Sequence, residues 1–345
     1  MQRSFVGSRS VMKLFKRLPE LQILLITTLG CYVFLEMYVD PSQSHVISSL
    51  SGVDLIITSF VLSVVIAIVA VIAGVGGGVI FTPLMLAFTS IDTLIIRSTG
   101  LVVAMFSGLV ATGPFMRKGL ADIKLVFLGA LPILIGGLLG SFAAIFMSKH
   151  LGETGDYLVR LSLGLLLLGI ASVFVLGGAS TEYPKKVTND MLGRKLKLRH
   201  TYWEDSLQMP VKYKAQNVPL AMLLFLVVGF TGGFFGLGGG WAVVPVLNLV
   251  MSVPLKVSAA TSGVLLAMGN SAAIWPYINI GALIGVVAAP WMLGQIIGGI
   301  IGAHILVSIK AAFVRKMLII MLFVTSIKLI SRGLEGLLGF DIPIF

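Results

Sequence analysis

Charge and cysteine are scarce in this chain of 345 residues. Only 11% of the residues are charged, whereas an ordinary soluble domain carries about a quarter, and this scarcity excludes a water-soluble globular protein. The single cysteine, Cys31, excludes an internal disulfide and a cysteine metal cluster. Because Cys31 lies within an apolar run, we interpret it as a residue in the middle of a helix.

Hydrophobic residues are abundant instead, at 57% of the chain. Several apolar runs reach about twenty residues, which is enough for a helix to cross about 30 Å of hydrocarbon. Backbone groups in lipid must bond within the protein, so spanning segments are helices or closed barrels. The runs lack the alternation of barrel strands. The sequence therefore predicts an all-α polytopic membrane protein.

The net charge of +11 would indicate nucleic-acid binding in a soluble protein. Here the basic residues crowd into the N-terminus, a central stretch and short connections, which we interpret as cytoplasmic loops that follow the positive-inside rule. Residues 1–20 carry five basic side chains against Glu20 and precede an apolar run at 21–39. We expect one extra N-terminal transmembrane helix, with the N-terminus in the cytoplasm and the protein in the cell membrane.

Composition divides the chain into four parts. A basic N-terminus and the extra helix occupy 1–52, a first transmembrane repeat 53–178, a basic cytoplasmic linker 179–217, and a second transmembrane repeat 218–345. Within the linker, residues 192–203 are compatible with a short amphipathic helix on the lipid surface or with a solvated loop. The predicted apolar segments lie at 53–73, 97–116, 122–147 and 157–176, and at 218–235, 241–251, 258–277, 282–308 and 314–330.

The two halves repeat one pattern. A shift of about 162 residues superimposes the Gly-x-Gly-Gly-Gly clusters at 74–78 and 236–240, and it also pairs Thr99 with Thr261. Such a register, held over about seventy residues, indicates an internal duplication. A segment at 79–91 leaves the orientation open: the copies are inverted if it crosses the membrane and parallel if it is re-entrant. Charge favours inversion, because Arg117, Lys118 and Lys124 have uncharged counterparts in the second copy.

The glycine clusters require a helix to stop within the membrane region. Glycine permits the backbone angles of such a break and leaves room for a ligand. The helix that restarts presents unpaired amide N–H groups and a partial positive charge, which suits an anion. Nearby hydroxyls and amides can complete the site, with Asn270 and Gln295 deeper along later segments. The candidate substrate-binding residues are Gly76, Gly77, Gly78, Ser98, Thr99, Gly238, Gly239, Gly240, Thr261, Ser262 and Asn270.

Other residues have simpler interpretations. The glycines spaced along later helices, such as Gly136, Gly140 and Gly298, are typical of close helix packing in membranes. Arg97 lies where a helix begins, and we expect it to extend to the interface, with a position facing the pore as the alternative. No catalytic constellation, metal site or cofactor site is visible, and no carboxylate lies at the middle of a span.

The doubled motif carries a family resemblance. Gly-x-Gly-Gly-Gly, four residues, Pro and a downstream Thr occur at 74–83 with Thr99 and at 236–245 with Thr261 and Ser262. This pattern, over about 53–331, resembles the sulfite exporter TauE/SafE family. The resemblance implies a permease that moves sulfur-containing oxyanions, such as sulfite or organosulfonates, across the cytoplasmic membrane, in the direction of export. The N-terminal helix and the long linker look like additions to that pattern.

Two other classes stay open. A membrane-embedded enzyme would need a catalytic constellation, and the sequence has no His-Glu-x-x-His, no paired intramembrane aspartates and no Gly-x-Ser-x-Gly. A non-transporting membrane scaffold would use the linker to recruit partners. For the permease, the expected partners are a small anion and the lipid bilayer, without nucleic acid, and an oligomer of identical chains is compatible with the sequence.

Overall fold

The structure, a computed structural model, describes residues 52–73, 76–89, 91–117, 119–176, 193, 195–196, 198–204, 209–306 and 311–339. The predicted N-terminal helix at 21–39 therefore lies outside the described residues, as do Gly74 and Val75 of the first glycine cluster. The α-helices are α1 Gly52–Ala73, α2 Gly78–Phe88, α3 Thr93–Arg117, α4 Ile123–Leu176, α5 Val218–Phe235, α6 Gly240–Pro245, α7 Leu255–Asn279, α8 Gly285–Leu306 and α9 Ala311–Leu338. A π-helix, Val246–Val250, continues α6 directly.

The helices are those of a multi-pass membrane protein. Among the described residues, five helical stretches are long and apolar enough to cross a membrane, namely Thr93–Val110, Ile123–Ser172, Val218–Phe235, Leu255–Asn279 and Gly285–Gly302. Large apolar side chains such as Phe127, Leu131 and Phe146 are exposed. An apolar outer surface is what a helix bundle presents to lipid. The predicted helical membrane architecture is confirmed at this level.

Helix α4 is too long for one crossing. Its 54 residues would extend about 80 Å as a straight rod, far beyond the hydrocarbon thickness. Gly152 has φ 52° and ψ −131°, which breaks the helix into limbs at 123–151 and 153–176. The limbs correspond to the two apolar segments predicted at 122–147 and 157–176.

Helix boundaries recur along the chain. The shift that superimposes the glycine clusters carries the end of α1, Ala73, to the end of α5, Phe235, and the start of α2, Gly78, to the start of α6, Gly240. It also takes the starts of α3 and α4 to those of α7 and α8, and the end of α4 to that of α9. The two halves thus place their helix ends in one register.

Glycine contacts bring helices from the two halves together. Along α1 and α8, Ser63 donates to the Trp291 carbonyl oxygen at 2.7 Å, and Gly298 packs against Val64. The contacts therefore advance in the same direction along both helices, so α1 and α8 are parallel. The first limb of α4 likewise runs parallel to α5. Gly136 packs on the Leu226 carbonyl there and Gly140 on the Phe230 carbonyl, which confirms the packing role predicted for these glycines.

Two other helix pairs are antiparallel. Gly108 of α3 packs on the Gly263 carbonyl early in α7, whereas Ser98, ten residues earlier, donates to the Ala282 carbonyl beyond the end of α7. The second limb of α4 runs antiparallel to α9, since Gly336 packs on Tyr157 and Ile330 on Gly164. These directions fix how the helices that carry the glycine breaks approach one another.

The end of the linker corrects one prediction. Residues 199–203 were expected to lie in an amphipathic helix or a solvated loop, but they belong to strand β1, Arg199–Glu204, paired antiparallel with β2, Met209–Lys214. The hairpin docks on the start of α4, where the Tyr213 hydroxyl donates to Asp122 Oδ2 at 2.7 Å. Burial and the neighbouring Asp122 carboxylate raise the pKa of Tyr213 above its ordinary value. The strand pairing satisfies backbone groups in a segment too polar to form a membrane helix.

Candidate functional site

The first glycine break joins α1 to α2. Gly76 has φ +81°, a left-handed conformation that favours glycine. Gly77 then starts the helix: its carbonyl accepts from the Phe81 N–H at 2.9 Å, and its own N–H donates to Ser107 Oγ at 3.1 Å. A Cβ at Gly77 would lie 2.5 Å from Gln295 Oε1. A side chain at this position would therefore force Gln295 or Val103 to move.

The second glycine break joins α5 to α6. Gly236 and Gly238 have φ +72° and +66°, and the Gly239 carbonyl accepts from the Val243 N–H at 3.0 Å. A Cβ at Gly238 would lie 2.9 Å from Asn270 Nδ2. Each break thus has one buried amide side chain directly beside its backbone.

The two breaks lie against each other. A Cβ at Gly78, the first residue of α2, would lie 2.5 Å from the Leu237 carbonyl oxygen of the second break. The Ala104 Cβ touches both breaks, at 2.8 Å from the Cβ position of Gly78 and 2.6 Å from that of Gly238. Thr82 Oγ1 of α2 donates to the Gly236 carbonyl oxygen at 2.7 Å. The two interruptions, 160 or so residues apart in sequence, therefore form one region of the fold.

A small cavity opens beside the second break, with room for about one water molecule. Asn270 is the one amide side chain in its wall, and Ile133, Leu266 and Ala273 make part of the rest. The remaining lining residues are glycines, namely Gly137, Gly229, Gly232, Gly233, Gly239 and Gly269. Glycine walls expose backbone groups and allow the surrounding helices to approach closely.

Buried polar atoms near the breaks that lack a hydrogen-bond partner within the described part of the chain include Asn270 Nδ2, Gln295 Oε1, Thr99 Oγ1 and Trp241 Nε1. A buried polar atom left unpaired costs about 1–3 kcal/mol. The Gln295 side chain is oriented by Nε2, which donates to Ser63 Oγ at 3.2 Å, so that Oε1 faces Gly77. Unpaired polar atoms of this kind are expected where a ligand supplies the missing partner.

The other predicted hydroxyls are engaged elsewhere. Ser98 Oγ donates to the Ala282 carbonyl at 2.9 Å, and Ser262 Oγ donates to the Ala259 carbonyl at 2.8 Å. Thr261 Oγ1 accepts from the Asp122 N–H at 3.1 Å. Thr261 also lies nine residues before Asn270 on α7, about 14 Å along the helix axis. The structure thus brings the predicted glycines together with Asn270. Thr261 and Ser262 instead lie in the N-terminal part of α7, near the hairpin.

Two neighbours of the first break had no sequence signal. Ser107 accepts a hydrogen bond from the Gly77 N–H. The residue that matches it in the second half is Gly269, so comparing the two halves did not single out Ser107. Ala104 lies between the breaks and is an ordinary helix residue in sequence. Arg97, expected to extend to the interface, is instead 1% exposed. Its Nη2 lies 3.9 Å from Asp156 Oδ1, so the side chain extends toward the second limb of α4.

Comparisons with known proteins agree with this architecture. The profile of the family described as "Sulfite exporter TauE/SafE" matches residues 59–329. The chain is 25% identical over 292 residues to the probable membrane transporter protein YunE of Bacillus subtilis, covering 80% of this chain and 99% of that protein. It is 24% identical over 279 residues to a probable membrane transporter protein of Haemophilus influenzae, covering 81% and 96%. No solved structure matches the chain.

The family profile spans both glycine breaks and the helices that surround them, and both relatives are matched over nearly their whole length. The chain belongs to the sulfite exporter TauE/SafE family of membrane transport proteins.

Proposed function

We propose that this protein is a permease of the cell membrane that exports a small sulfur-containing oxyanion, sulfite or an organosulfonate, by alternating access. The anion is held where the two glycine breaks meet. The observation that carries the proposal is the contact between Gly78 and Leu237, with the buried amides of Gln295 and Asn270 beside the two breaks. This arrangement lies within a helical membrane protein of a transporter family.

The proposed core consists of two homologous repeats. The common register of the helix ends supports this, as does the recurrence of left-handed glycines: Gly76 matches Gly238, and Gly119 matches Gly281. Chance does not place the same backbone conformations at equivalent positions of two unrelated segments. The duplicated backbone gives the site two similar halves.

Packing directions support inverted repeats. Helices α3 and α7 occupy the same position in the two halves and run antiparallel. The second limb of α4 and α9 are another equivalent pair, and they are antiparallel as well. Equivalent helices that point in opposite directions are what an in-plane twofold relationship between two repeats produces.

The same directions support a crossing by each short helix. A loop of a few residues makes α7 and α8 antiparallel, and α1 is parallel to α8, so α1 and α3 point the same way. The chain between them, with α2 in it, must then return across the membrane. Helix α2 has 11 residues, about 16 Å, and the non-helical residues on either side supply the remaining length. With a cytoplasmic N-terminus, this count leaves the linker in the cytoplasm.

The chemistry of the breaks suits an anion. The first N–H groups of α2 and α6 have no partner within their own helices and carry the positive end of the helix dipole. The unpaired Asn270 Nδ2 is a hydrogen-bond donor that carries no charge. Uncharged donors bind an oxyanion without the tight hold of a buried ion pair, and a transported substrate must also leave. Gln295 Oε1 is an acceptor and suits a protonated oxygen of the substrate.

The size of the cavity supports alternating access, with this structure as a state in which the anion site is closed to both sides of the membrane. A space for about one water molecule is smaller than a sulfite ion, so the helices around the site must separate before the anion enters. The glycine-lined contacts of α4 with α5 and of α1 with α8 lie beside the two breaks. Movement at these contacts opens the site to one side of the membrane at a time.

Transport by the purified protein in sealed liposomes tests the proposal. The panel is sulfite, an organosulfonate, thiosulfate and sulfate, each with and without a pH gradient. We expect saturable flux of a sulfur oxyanion. Gly77→Ala and Gly239→Ala lower it about tenfold, since each Cβ would meet a side-chain atom within 3 Å and moving that atom costs about 1–2 kcal/mol. Gly169→Ala is the matched control, because nothing lies within 4 Å of its Cβ position.

Normal flux in both break variants would contradict the site. Flux of none of the four anions by well-folded protein would contradict the substrate class. Conversion of the anion in detergent, without a sealed compartment, would instead favour an enzyme.

A further inference from the structure

A cluster of arginines lies on one side of the second glycine break. The guanidinium of Arg97 is 1% exposed, and its Nε and Nη1 have no hydrogen-bond partner among the residues that the structure describes. Its Nη2 is 3.9 Å from Asp156 Oδ1, which is beyond hydrogen-bond distance. That oxygen instead accepts from Thr93 Oγ1 at 2.6 Å. Asp156 therefore leaves most of the guanidinium unpaired.

Two more arginines belong to the same cluster. Arg160 follows Asp156 by one helical turn on the second limb of α4, so both lie on one face. Its Nε is likewise buried, and no acceptor for it occurs in the described part of the structure. Arg332 comes from α9, which packs antiparallel on that limb, and its Nη1 donates to the Thr89 carbonyl at 3.2 Å. Arg160 interacts electrostatically with Arg332, Asp156 and Arg97. Arg160 thus lies among two other guanidinium groups and the Asp156 carboxylate.

Buried guanidinium N–H groups without an acceptor, on Arg97 and Arg160, need a counter-charge. Removing an ion from water costs several kcal/mol unless a partner of opposite charge and further hydrogen bonds offset the loss. The planar N–H fork of arginine matches the paired oxygens of a carboxylate, sulfonate, sulfite or phosphate. A small oxyanion would fill the unpaired N–H positions of Arg97 and Arg160 together.

The cluster lies next to the break. The Arg97 backbone packs directly on Gly236, and its guanidinium is 5.8 Å from the centre of the Phe234 ring. Arg97 is near the start of α3, at the opposite end of that helix from Gly119, whose carbonyl contacts His200 of the hairpin. In the proposed topology the arginines therefore lie at the non-cytoplasmic mouth, by which we mean the end of the helix bundle that faces away from the cytoplasm.

The arginine cluster has no equivalent at the matched positions of the other half of the chain. The positions that the repeat matches to Arg97, Arg160 and Arg332 are Ala259, Leu322 and Ile170, and none of these carries a charge. The end of α7 nearest the hairpin therefore has no counterpart of this cluster.

We propose that Arg97, Arg160 and Arg332 form a second anion-binding site, at the non-cytoplasmic mouth, which holds a small free oxyanion next to the second glycine break. The side of the membrane and the choice of sulfite as a probe rest on the proposed function. The binding of an anion by the arginines does not depend on that function. A free solute is favoured over a lipid headgroup because Arg97 is almost fully enclosed by protein.

Calorimetric titration of sulfite into the full chain in a neutral detergent tests the site, in a Gly78→Ala background that disables the contact between the breaks. We expect one remaining site. Arg160→Gln and Arg332→Gln each weaken it at least about tenfold, the effect of losing one charge-assisted hydrogen bond of about 1.5–3 kcal/mol. Lys149→Gln, which removes one exposed positive charge on the same helix, is the matched control and leaves the affinity within about twofold.

A second variant separates a binding site from a structural ion cluster. Asp156→Asn removes the carboxylate that competes with the bound anion, so we expect sulfite to bind more tightly. If the arginines serve only to balance Asp156, the same change gives no gain in affinity and lowers the melting temperature. That result would overturn the proposal, as would unchanged sulfite binding in Arg160→Gln and Arg332→Gln.

Lipid is the remaining competitor. Repeating the titration with phosphatidylglycerol added to the detergent leaves a free-anion site unaffected, whereas loss of sulfite binding would assign the arginines to a lipid phosphate and overturn the proposal. Failure of the proposed function gives a different pattern. In that case no flux occurs in liposomes, yet the binding that depends on Arg160 persists.

Discussion

The two glycine breaks have similar backbone conformations at Gly76 and Gly238, but different side chains lie beside them. Gly77 lies beside Gln295 and has its N–H capped by Ser107. The repeat places Ile133 and Gly269 at the corresponding positions near the second break, where both line the small cavity. The second break has Asn270 instead, and its counterpart in the first half is a glycine. The first break thus lies beside Gln295 and Ser107, and the second lies beside Asn270 and apolar neighbours such as Ile133.

The difference lies in side chains and not in backbone. Helix ends and left-handed glycines recur at matching positions of the two halves. On the proposed function, the unequal side chains beside the breaks give a substrate with two different ends two different half-sites. A sulfite or sulfonate ion is such a substrate, because it has an oxygen-bearing face and a second face with a lone pair or carbon group.

The largest expected effect comes from separating the two breaks. In Gly78→Ala the new Cβ would lie 2.5 Å from the Leu237 carbonyl oxygen and 2.9 Å from that of Gly100. Backbone cannot yield as a side-chain tip does, and strain of about 3 kcal/mol corresponds to a loss of flux of at least about 100-fold. Liposome flux per folded protein measures it, with Gly169→Ala as control. Flux within twofold of wild type would show that the contact is not needed.

Replacing the amide side chain beside each break should have an intermediate effect on transport. Gln295→Ile gives the first break the side chain that the repeat places near the second, and Asn270→Leu removes the donor there. Each loses about 1–2 kcal/mol of polar contact with the anion, so we expect the concentration for half-maximal flux to rise about tenfold. Equal kinetics in wild type and both variants would mean that the amides do not contact substrate.

The repeat-matched threonines should separate binding from stability. Thr99 Oγ1 is buried without a partner in the described structure, whereas Thr261 Oγ1 accepts from the Asp122 N–H. We expect Thr99→Val to change the half-maximal concentration by a few fold and leave stability unchanged. Thr261→Val should lower the free energy of unfolding by about 1 kcal/mol and leave that concentration unchanged. The reverse pattern in flux and melting measurements would place the ligand at Thr261.

The smallest effect is expected at the hairpin. Tyr213→Phe removes the hydrogen bond to Asp122 and should cost about 1 kcal/mol of stability without affecting transport. The raised pKa of Tyr213 means that the folded state holds the proton more tightly than the unfolded state. Its stabilising contribution is therefore complete below about pH 10 and is lost as the pH rises further. Melting curves of wild type and variant should converge above that pH; a constant difference would argue against this linkage.

Much of the architecture follows from hydrophobic runs and glycine. The predicted segment 218–235 coincides with α5, and the predicted restarts near residues 79 and 241 lie within one residue of α2 and α6. Apolar length and glycine breaks are local signals that lipid makes decisive, because a spanning backbone has few alternatives to a helix. The glycines of the candidate site could therefore be identified without coordinates.

Long-range contacts account for what the sequence did not reveal. The hairpin depends on the docking of Tyr213 on Asp122, and no periodicity encodes that contact. Thr261 carries the repeat pattern as clearly as Thr99, but its hydrogen bond to Asp122 appears only when α4 and α7 are placed together. The sequence predicts Arg97 as an interfacial arginine, and its approach to Asp156 becomes visible only when α3 and α4 are placed together.

Locating a bound anion tests the central claim most directly. Selenite has the shape and charge of sulfite, and the anomalous scattering of selenium marks its position in a crystal of the full chain. We predict a selenium peak between the two breaks, within hydrogen-bond distance of Asn270 and of the first N–H groups of α2 or α6. Selenium peaks confined to the arginine cluster or the protein surface, with the breaks empty under saturating selenite, would contradict the account.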